Sequence, residues 1–103
     1  MNMFGNLKEQ IKEAQLEMKQ KLEQMEINGD AMDGRVKVVV NGNRKILSID
    51  IDAELYQEVN RDELQELVKQ ASNMALDKAE KVGEEEMMNS AKGILPGMSG
   101  LFG

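Results

Sequence analysis

The chain of 103 residues has no cysteine and no histidine. Without cysteine, disulfides and thiolate chemistry are excluded, and without histidine, imidazole bases and the common zinc sites are excluded too. Aromatic residues make up only 3% of the chain, so the core must be built from aliphatic side chains and the nine methionines. This composition argues against a disulfide-stabilised secreted domain and is compatible with the cytoplasm.

Long hydrophobic runs are lacking as well. No apolar stretch approaches the roughly 20 residues that a membrane helix needs, and the first residues lack the apolar core of a secretory signal. We therefore expect a cytoplasmic protein without a membrane partner. A chain of 103 residues has the size of one domain, and a domain this small gains core by burying surface against a second copy.

Helical periodicity is present at both ends of the chain. From Met3 to Glu26 apolar residues recur every three or four positions, which predicts one amphipathic helix with a narrow apolar stripe. Asn60 followed by Glu63 is a capping-box pattern at the start of a second helix. The apolar stripe of this second helix continues to about Met88.

The middle of the chain alternates between apolar and polar residues. Residues 35–40 and 45–52 predict two strands, and residues 26–31 add a first strand before a turn at residues 32–34. Asn41-Gly42 predicts a type I′ hairpin turn. A loop of two or four residues keeps the valine and leucine/isoleucine rows on one face, whereas a loop of three would split them.

These elements predict an α+β fold with an N-terminal long helix, a three-stranded antiparallel meander and a C-terminal long helix. Residues 1–92 form the single domain. Residues 93–103 contain four glycines and the one proline of the chain, so we expect a flexible Gly-rich tail there.

The net charge of −6 is unevenly distributed, because the second helix and its approach carry most of the excess acid. On the first helix, Lys8, Lys12 and Lys19 share one strip, which is either the ordinary solvated face of a helix or a contact with phosphates. Four basic residues on the hairpin form either a small patch or the usual charges of an exposed sheet edge; they are Arg35, Lys37, Arg44 and Lys45.

No catalytic constellation is recognisable. Asp50 and Asp52 are paired carboxylates on one strand face, but they stand where a following helix N-terminus would favour negative charge. Phosphate-binding glycine motifs and calcium-loop spacings are absent. We therefore expect a protein that is not an enzyme and has no catalytic residues, no metal site and no cofactor.

The order of these segments resembles the YbaB/EbfC family of nucleoid-associated proteins. The most specific part is the run Gly34-Arg35-Val36-Lys37-Val38, Asn41-Gly42 and Ile49-Asp50-Ile51-Asp52, and the opening and the tail resemble the family too. The resemblance implies a homodimer whose sheets associate and whose paired helices project as tweezer-like arms. It also implies binding to double-stranded DNA and a place in the nucleoid.

For such a protein the first helix offers the candidate DNA-binding residues Lys8, Lys12, Lys19 and Lys21. Nothing resembles a base-reading helix, so we expect contacts with the DNA backbone and little sequence preference. The alternative is a protein-binding scaffold, either a prefoldin-like chaperone or an adaptor for replication or recombination proteins. The nine methionines suit such adaptable contacts.

Overall fold

The computed structural model describes residues 3–94 and confirms the α+β fold. Its elements are α1 (Met3–Glu23), β1 (Ile27–Ala31), β2 (Val36–Val40), β3 (Ile46–Ile51), α2 (Leu55–Glu58) and α3 (Arg61–Ile94). The first helix ends three residues before the predicted Glu26, and the last helix continues past Met88. Of the predicted flexible tail, residues 95–103 lie outside the described residues.

The three strands form one antiparallel sheet in the order β1-β2-β3. Alternate residues of β2, namely Val36, Val38 and Val40, are fully buried beneath α3. The intervening side chain of Lys37 faces solvent, as expected for a sheet with one covered face. The core therefore lies in a single layer between β1–β2 and the first half of α3.

Small residues let α3 approach the sheet closely. Ala71, Ala75 and Ala79 are fully buried along one stripe of the helix. Opposite them, a β-carbon on Gly29 would lie 2.2 Å from the Ala71 carbonyl oxygen and 2.5 Å from the Ala75 nitrogen. Only glycine fits at this position of β1. The Lys78 ammonium also donates to the Asn28 carbonyl oxygen at 3.0 Å, at the same crossing.

The turn between β2 and β3 differs from the predicted type I′ turn. Asn41 N–H donates to Lys45 O at 2.9 Å and Arg44 N–H donates to Asn41 O at 3.0 Å, which leaves a three-residue loop. The left-handed residue is Arg44, with φ of 65°, and neither Asn41 nor Gly42 has a positive φ. The buried Asn41 side chain decides this geometry, because its oxygen accepts from the N–H groups of Asn43 and Lys45.

A bulge in β3 compensates for the three-residue loop. Val40 pairs with Ile46, but Val39 pairs with Ser48, so Leu47 is an extra residue in the ladder. Val38 then stands opposite Ile49, and the two apolar rows share a face. The expectation that a loop of three residues splits the rows was wrong, since one inserted residue restores the period of two.

The type I′ geometry occurs instead at the turn between β1 and β2. Arg35 N–H donates to Met32 O at 3.2 Å, and the central residues Asp33 and Gly34 have φ values of 55° and 85°. Asp-Gly satisfies the requirement of this turn for two left-handed residues. The sequence therefore contains two candidate dipeptides, and the fold uses the aspartate-containing one.

The second half of α3 extends beyond the sheet and packs against α1, forming what we call the arm. The molecule measures 68 × 26 × 17 Å as a result. The arm is joined to the sheet where Gly42 N–H donates to Leu22 O at 2.7 Å. At the other end of α3, Glu63 N–H donates to the Asn60 side chain at 2.8 Å, which confirms Asn60 as the N-cap. Within residues 3–94 no helix has a stretch long and apolar enough to cross a membrane.

Candidate nucleic-acid interface

Three of the predicted lysines lie on one exposed strip of α1. Lys8, Lys12 and Lys19 are spaced by four and seven residues, which places them within about 40° of one another around the helix. Along the axis they span about 16 Å, close to the rise of five base pairs of B-DNA at ~3.4 Å each. Among the described residues, no carboxylate forms an ion pair with any of the three. The strip therefore offers three ammonium groups to an external anion.

Lys21 is not brought together with the other three. It lies about 200° around the helix axis from the centre of the strip. Its ammonium is 2.9 Å from the Glu86 carboxylate of α3, and that carboxylate is only 19% exposed. The pair bridges α1 and α3 on one side of the arm, so the Lys21 charge is already matched within the chain.

The hairpin turn extends the basic strip at its sheet end. The Asn43 side chain donates to the Lys19 carbonyl oxygen at 3.0 Å, which holds the turn against the last part of α1. Arg44 and Lys45, both exposed, are carried to this end of α1 by that contact. Sequence patterns do not predict that Arg44 and Lys45 lie near the lysines of α1, because the contact that joins the two segments uses a backbone carbonyl.

Carboxylates surround the basic strip and limit its field. Helix α1 contains four lysines and four glutamates, so its formal charge is zero. Two further carboxylates, Glu80 and Glu84 of α3, line a shallow groove together with Arg44. A polyanion therefore meets positive charge only if it follows the strip itself.

Arg35 belongs to an internal ion-pair cluster and not to a basic patch on the sheet edge. Its guanidinium donates from Nε to the Asp52 carboxylate at 2.9 Å and from Nη1 to Glu58. The hydrogen bonds to Glu58 and Asp52 raise the pKa of Arg35. The same bond from Arg35, helped by the Glu54 N–H, lowers the pKa of the Asp52 carboxyl. Asp52 thus anchors the approach to α2, as the structural interpretation of this carboxylate expected.

Strand β3 carries an apolar row that no part of the described chain covers. Ile46, Leu47 and Ile49 are 50%, 51% and 46% exposed, although their strand pairs with the buried row of β2. Helix α3 lies over β1 and β2 and leaves this third strand open. A row of three large aliphatic side chains at a sheet edge is typical of a protein interface.

The described residues contain no arrangement for metal chemistry. Within 3–94, no three carboxylates lie close enough together to hold a metal ion. Asp50 stands opposite Lys37 in the β2–β3 register, whereas the Asp52 carboxylate accepts from Arg35.

Comparison with known proteins agrees with this surface. A protein family described as the YbaB/EbfC DNA-binding family matches residues 1–94, and it is a DNA-binding family rather than a class of enzymes. A nucleoid-associated protein of Chlorobium phaeobacteroides is 37% identical over 100 residues, which cover 94% of this chain and 88% of that protein. One of Acinetobacter baumannii is 36% identical over 102 residues, covering 97% and 89% of the two chains.

The fold also matches a solved structure. The crystal structure of an uncharacterized protein from Helicobacter pylori superposes with a TM-score of 0.66 over 92% of this chain and 98% of that chain. The two sequences are 23% identical, so the match concerns the fold alone.

Proposed function

This chain belongs to the YbaB/EbfC DNA-binding family, and from that premise we propose that it is a nucleoid-associated protein that binds double-stranded DNA as a homodimer. The binding residues in this proposal are Lys8, Lys12 and Lys19 of each subunit. They contact phosphates, so the protein binds with little sequence preference. This function places the protein at the nucleoid.

The observation that carries the proposal is the unpaired lysine strip of α1. A protein of formal charge −6 repels DNA over its whole surface, so binding needs a local cluster of positive charge. Lys8, Lys12 and Lys19 provide such a cluster without an internal carboxylate partner among the described residues. Lys21, which was predicted with them, is left out of the strip because Glu86 already neutralises it.

The homodimer is supported by the open apolar row of β3. Ile46, Leu47 and Ile49 bury their exposed halves if a second copy of β3 packs against them. At about 25 cal/mol per Å² of apolar area, such burial favours association. Two copies also double the lysines from three to six. A dimer therefore turns a weak local cluster into a site that can hold a duplex.

The proposal is tested by removing one lysine at a time and measuring the affinity for a labelled duplex by fluorescence anisotropy. Lys12→Gln removes two phosphate contacts from a dimer. Each contact contributes about 0.9 log unit in affinity at 0.1 M salt through counterion release, so the loss is roughly 60-fold.

Lys21→Gln is the matched comparison, because it removes the same charge from the same helix on the opposite flank. Its ammonium is held by Glu86, so we expect a change of less than about threefold, typical of an exposed charge away from the site. Equal losses for Lys12→Gln and Lys21→Gln would show that net charge matters and the strip does not. An unchanged affinity for Lys12→Gln would refute the site.

A further inference from the structure

The two sides of the α1–α3 seam in the arm differ in the side chains that line them. On one side the Lys21–Glu86 ion pair bridges the two helices, beside a shallow polar cavity lined also by Glu17 and Asn89. On the other side a groove runs along the arm, and we call it the arm groove. Its outer part is lined by uncharged residues, chiefly Ile11 and Met18 of α1 and Met87 and Ala91 of α3. Its sheet end, at Leu22 and Gly83, is the groove that Glu80, Glu84 and Arg44 also line.

No described residue fills the arm groove. A β-carbon on Gly83 would have no atom within 4 Å, although glycine in a helix interior costs about 0.5–1 kcal/mol relative to alanine. Met87 at the groove and Met88 beside it are 62% and 48% exposed. The outer part of the groove is thus a largely apolar surface with room for a further chain segment.

The position of the groove limits what can occupy it. From Ala79 to Ala91 it extends about 18 Å along α3 at ~1.5 Å per residue. Its outer end lies near the end of α3, where residues 95–103 follow directly in the sequence. After a reversal at Pro96-Gly97, the six residues 98–103 reach back up to ~20 Å when extended, which is enough to cover the outer part of the groove at Met87 and Ala91.

The composition of this segment matches the groove. Residues 95–103 carry no charged side chain, and four of the nine are large and apolar; these are Leu95, Met98, Leu101 and Phe102. Pro96-Gly97 is a dipeptide that favours a chain reversal immediately after the helix. An uncharged apolar segment can enter the outer part of the groove, between Met18 and Met87, without desolvating a charge.

We propose that the arm groove is a docking site for the chain's own residues 95–103, which reverse at Pro96-Gly97 and lay Leu101 and Phe102 against Met87 and Met88. The docked segment shields the exposed methionines of the arm from other molecules. It lies beside the lysine strip, since Gln15 lines the groove and falls between Lys12 and Lys19 on the helix. This docking does not depend on DNA binding.

An introduced disulfide tests the proposal directly, because the natural chain contains no cysteine. The test variant is Met88→Cys with Ser99→Cys, which leaves Leu101 and Phe102 in place. The control is Leu16→Cys with Ser99→Cys, because Leu16 is 58% exposed on a different face of the arm. Under mild oxidation the test pair should form an intramolecular disulfide at least ~10-fold faster than the control pair, as the two α-carbons must come within about 7 Å.

Equal rates for the two pairs would overturn the proposal, since they would mean that the segment has no preferred site. A covalent dimer as the main product of the test pair would also overturn it, because the groove would then hold the segment of a second copy. Both products are separated on a non-reducing gel.

Methionine oxidation gives a second measurement that needs no cysteine. In the full chain, Leu101→Ser with Phe102→Ser should raise the rate of peroxide oxidation of Met87 and Met88 several-fold, measured by mass spectrometry of peptides. Met74, 41% exposed on the sheet-covering part of α3, serves as the internal reference and should not change. Unchanged oxidation of Met87 and Met88 would contradict docking even if the cysteine variants failed to fold.

Discussion

Replacing Gly29 by alanine should destabilise this protein more than most single substitutions do. The new β-carbon would lie 2.2 Å from the Ala71 oxygen, 2.5 Å from the Ala75 nitrogen and 2.9 Å from the Ala75 β-carbon. Two of these three atoms belong to the backbone of α3, so no side-chain rotation relieves the overlap. The helix must move away from β1 by about 1 Å, which opens the packed layer over Val38.

The magnitude follows from this displacement. Overpacking a core costs about 1–3 kcal/mol when side chains can adjust, and here the backbone of a helix must shift. We therefore expect a loss of about 3 kcal/mol, out of a total of about 5–15 kcal/mol for a domain of this kind. In thermal unfolding this corresponds to a fall in Tm of roughly 12–24 °C.

Gly83→Ala is the matched control, because it makes the same chemical change where a β-carbon meets no atom within 4 Å. Alanine in a helix interior is favoured over glycine, so this variant should gain about 0.5–1 kcal/mol. Urea unfolding of both variants at one protein concentration measures the two effects together. A Gly29→Ala variant as stable as the natural chain would refute the close packing of α3 on β1.

Three further predictions concern the cap, the ion-pair cluster and the open strand. Asn60→Ala should cost about 1 kcal/mol in urea unfolding, because it removes the cap of the Glu63 N–H, and Asn60→Asp should restore most of it. The hydrogen bond from Arg35 is the main cause that lowers the pKa of Asp52 from its usual 3.8. The ionised Asp52 therefore stabilises the fold fully above about pH 4, and this stabilisation is lost as the pH falls through the lower pKa of the folded state. The stability difference between the natural chain and Asp52→Asn should therefore shrink on acidification below about pH 4, and a constant difference would argue against the Arg35 pair. Ile49→Lys should convert a dimer of two 11.5 kDa chains into a monomer in light scattering, and a variant that remains dimeric would exclude β3 as the interface.

Much of the fold follows from periodicity, whereas the turns do not. The helical stripes and the alternating valines suffice to predict α1, β2 and α3, because burial of one face determines each of them. The choice between Asp33-Gly34 and Asn41-Gly42 for the type I′ turn depends on the buried Asn41 side chain and its hydrogen bonds. The bulge at Leu47 cannot be predicted from the sequence either, because it compensates for the strand register that this turn sets.

The candidate site, like the fold, can be predicted from the sequence only in part. Helical spacing alone places Lys8, Lys12 and Lys19 on one strip, and it also indicates that Lys21 lies elsewhere. The spacing does not show which residue pairs with a given lysine, because that residue belongs to a distant segment of the chain. Glu86 is 65 positions from Lys21 in the chain, and the contact of Asn43 with Lys19 joins a hairpin to a helix. Tertiary contacts therefore decide which lysines are available.

The central claim, that a dimer holds the DNA backbone through the lysine strip, is tested most directly by the salt dependence of binding to a labelled duplex. Six lysine contacts predict a log–log slope near −5, that is, a loss of about a thousandfold in affinity between 50 and 200 mM salt. The slope should be the same for duplexes of different sequence. Absence of binding at the lowest salt, or a slope close to zero, would contradict the claim.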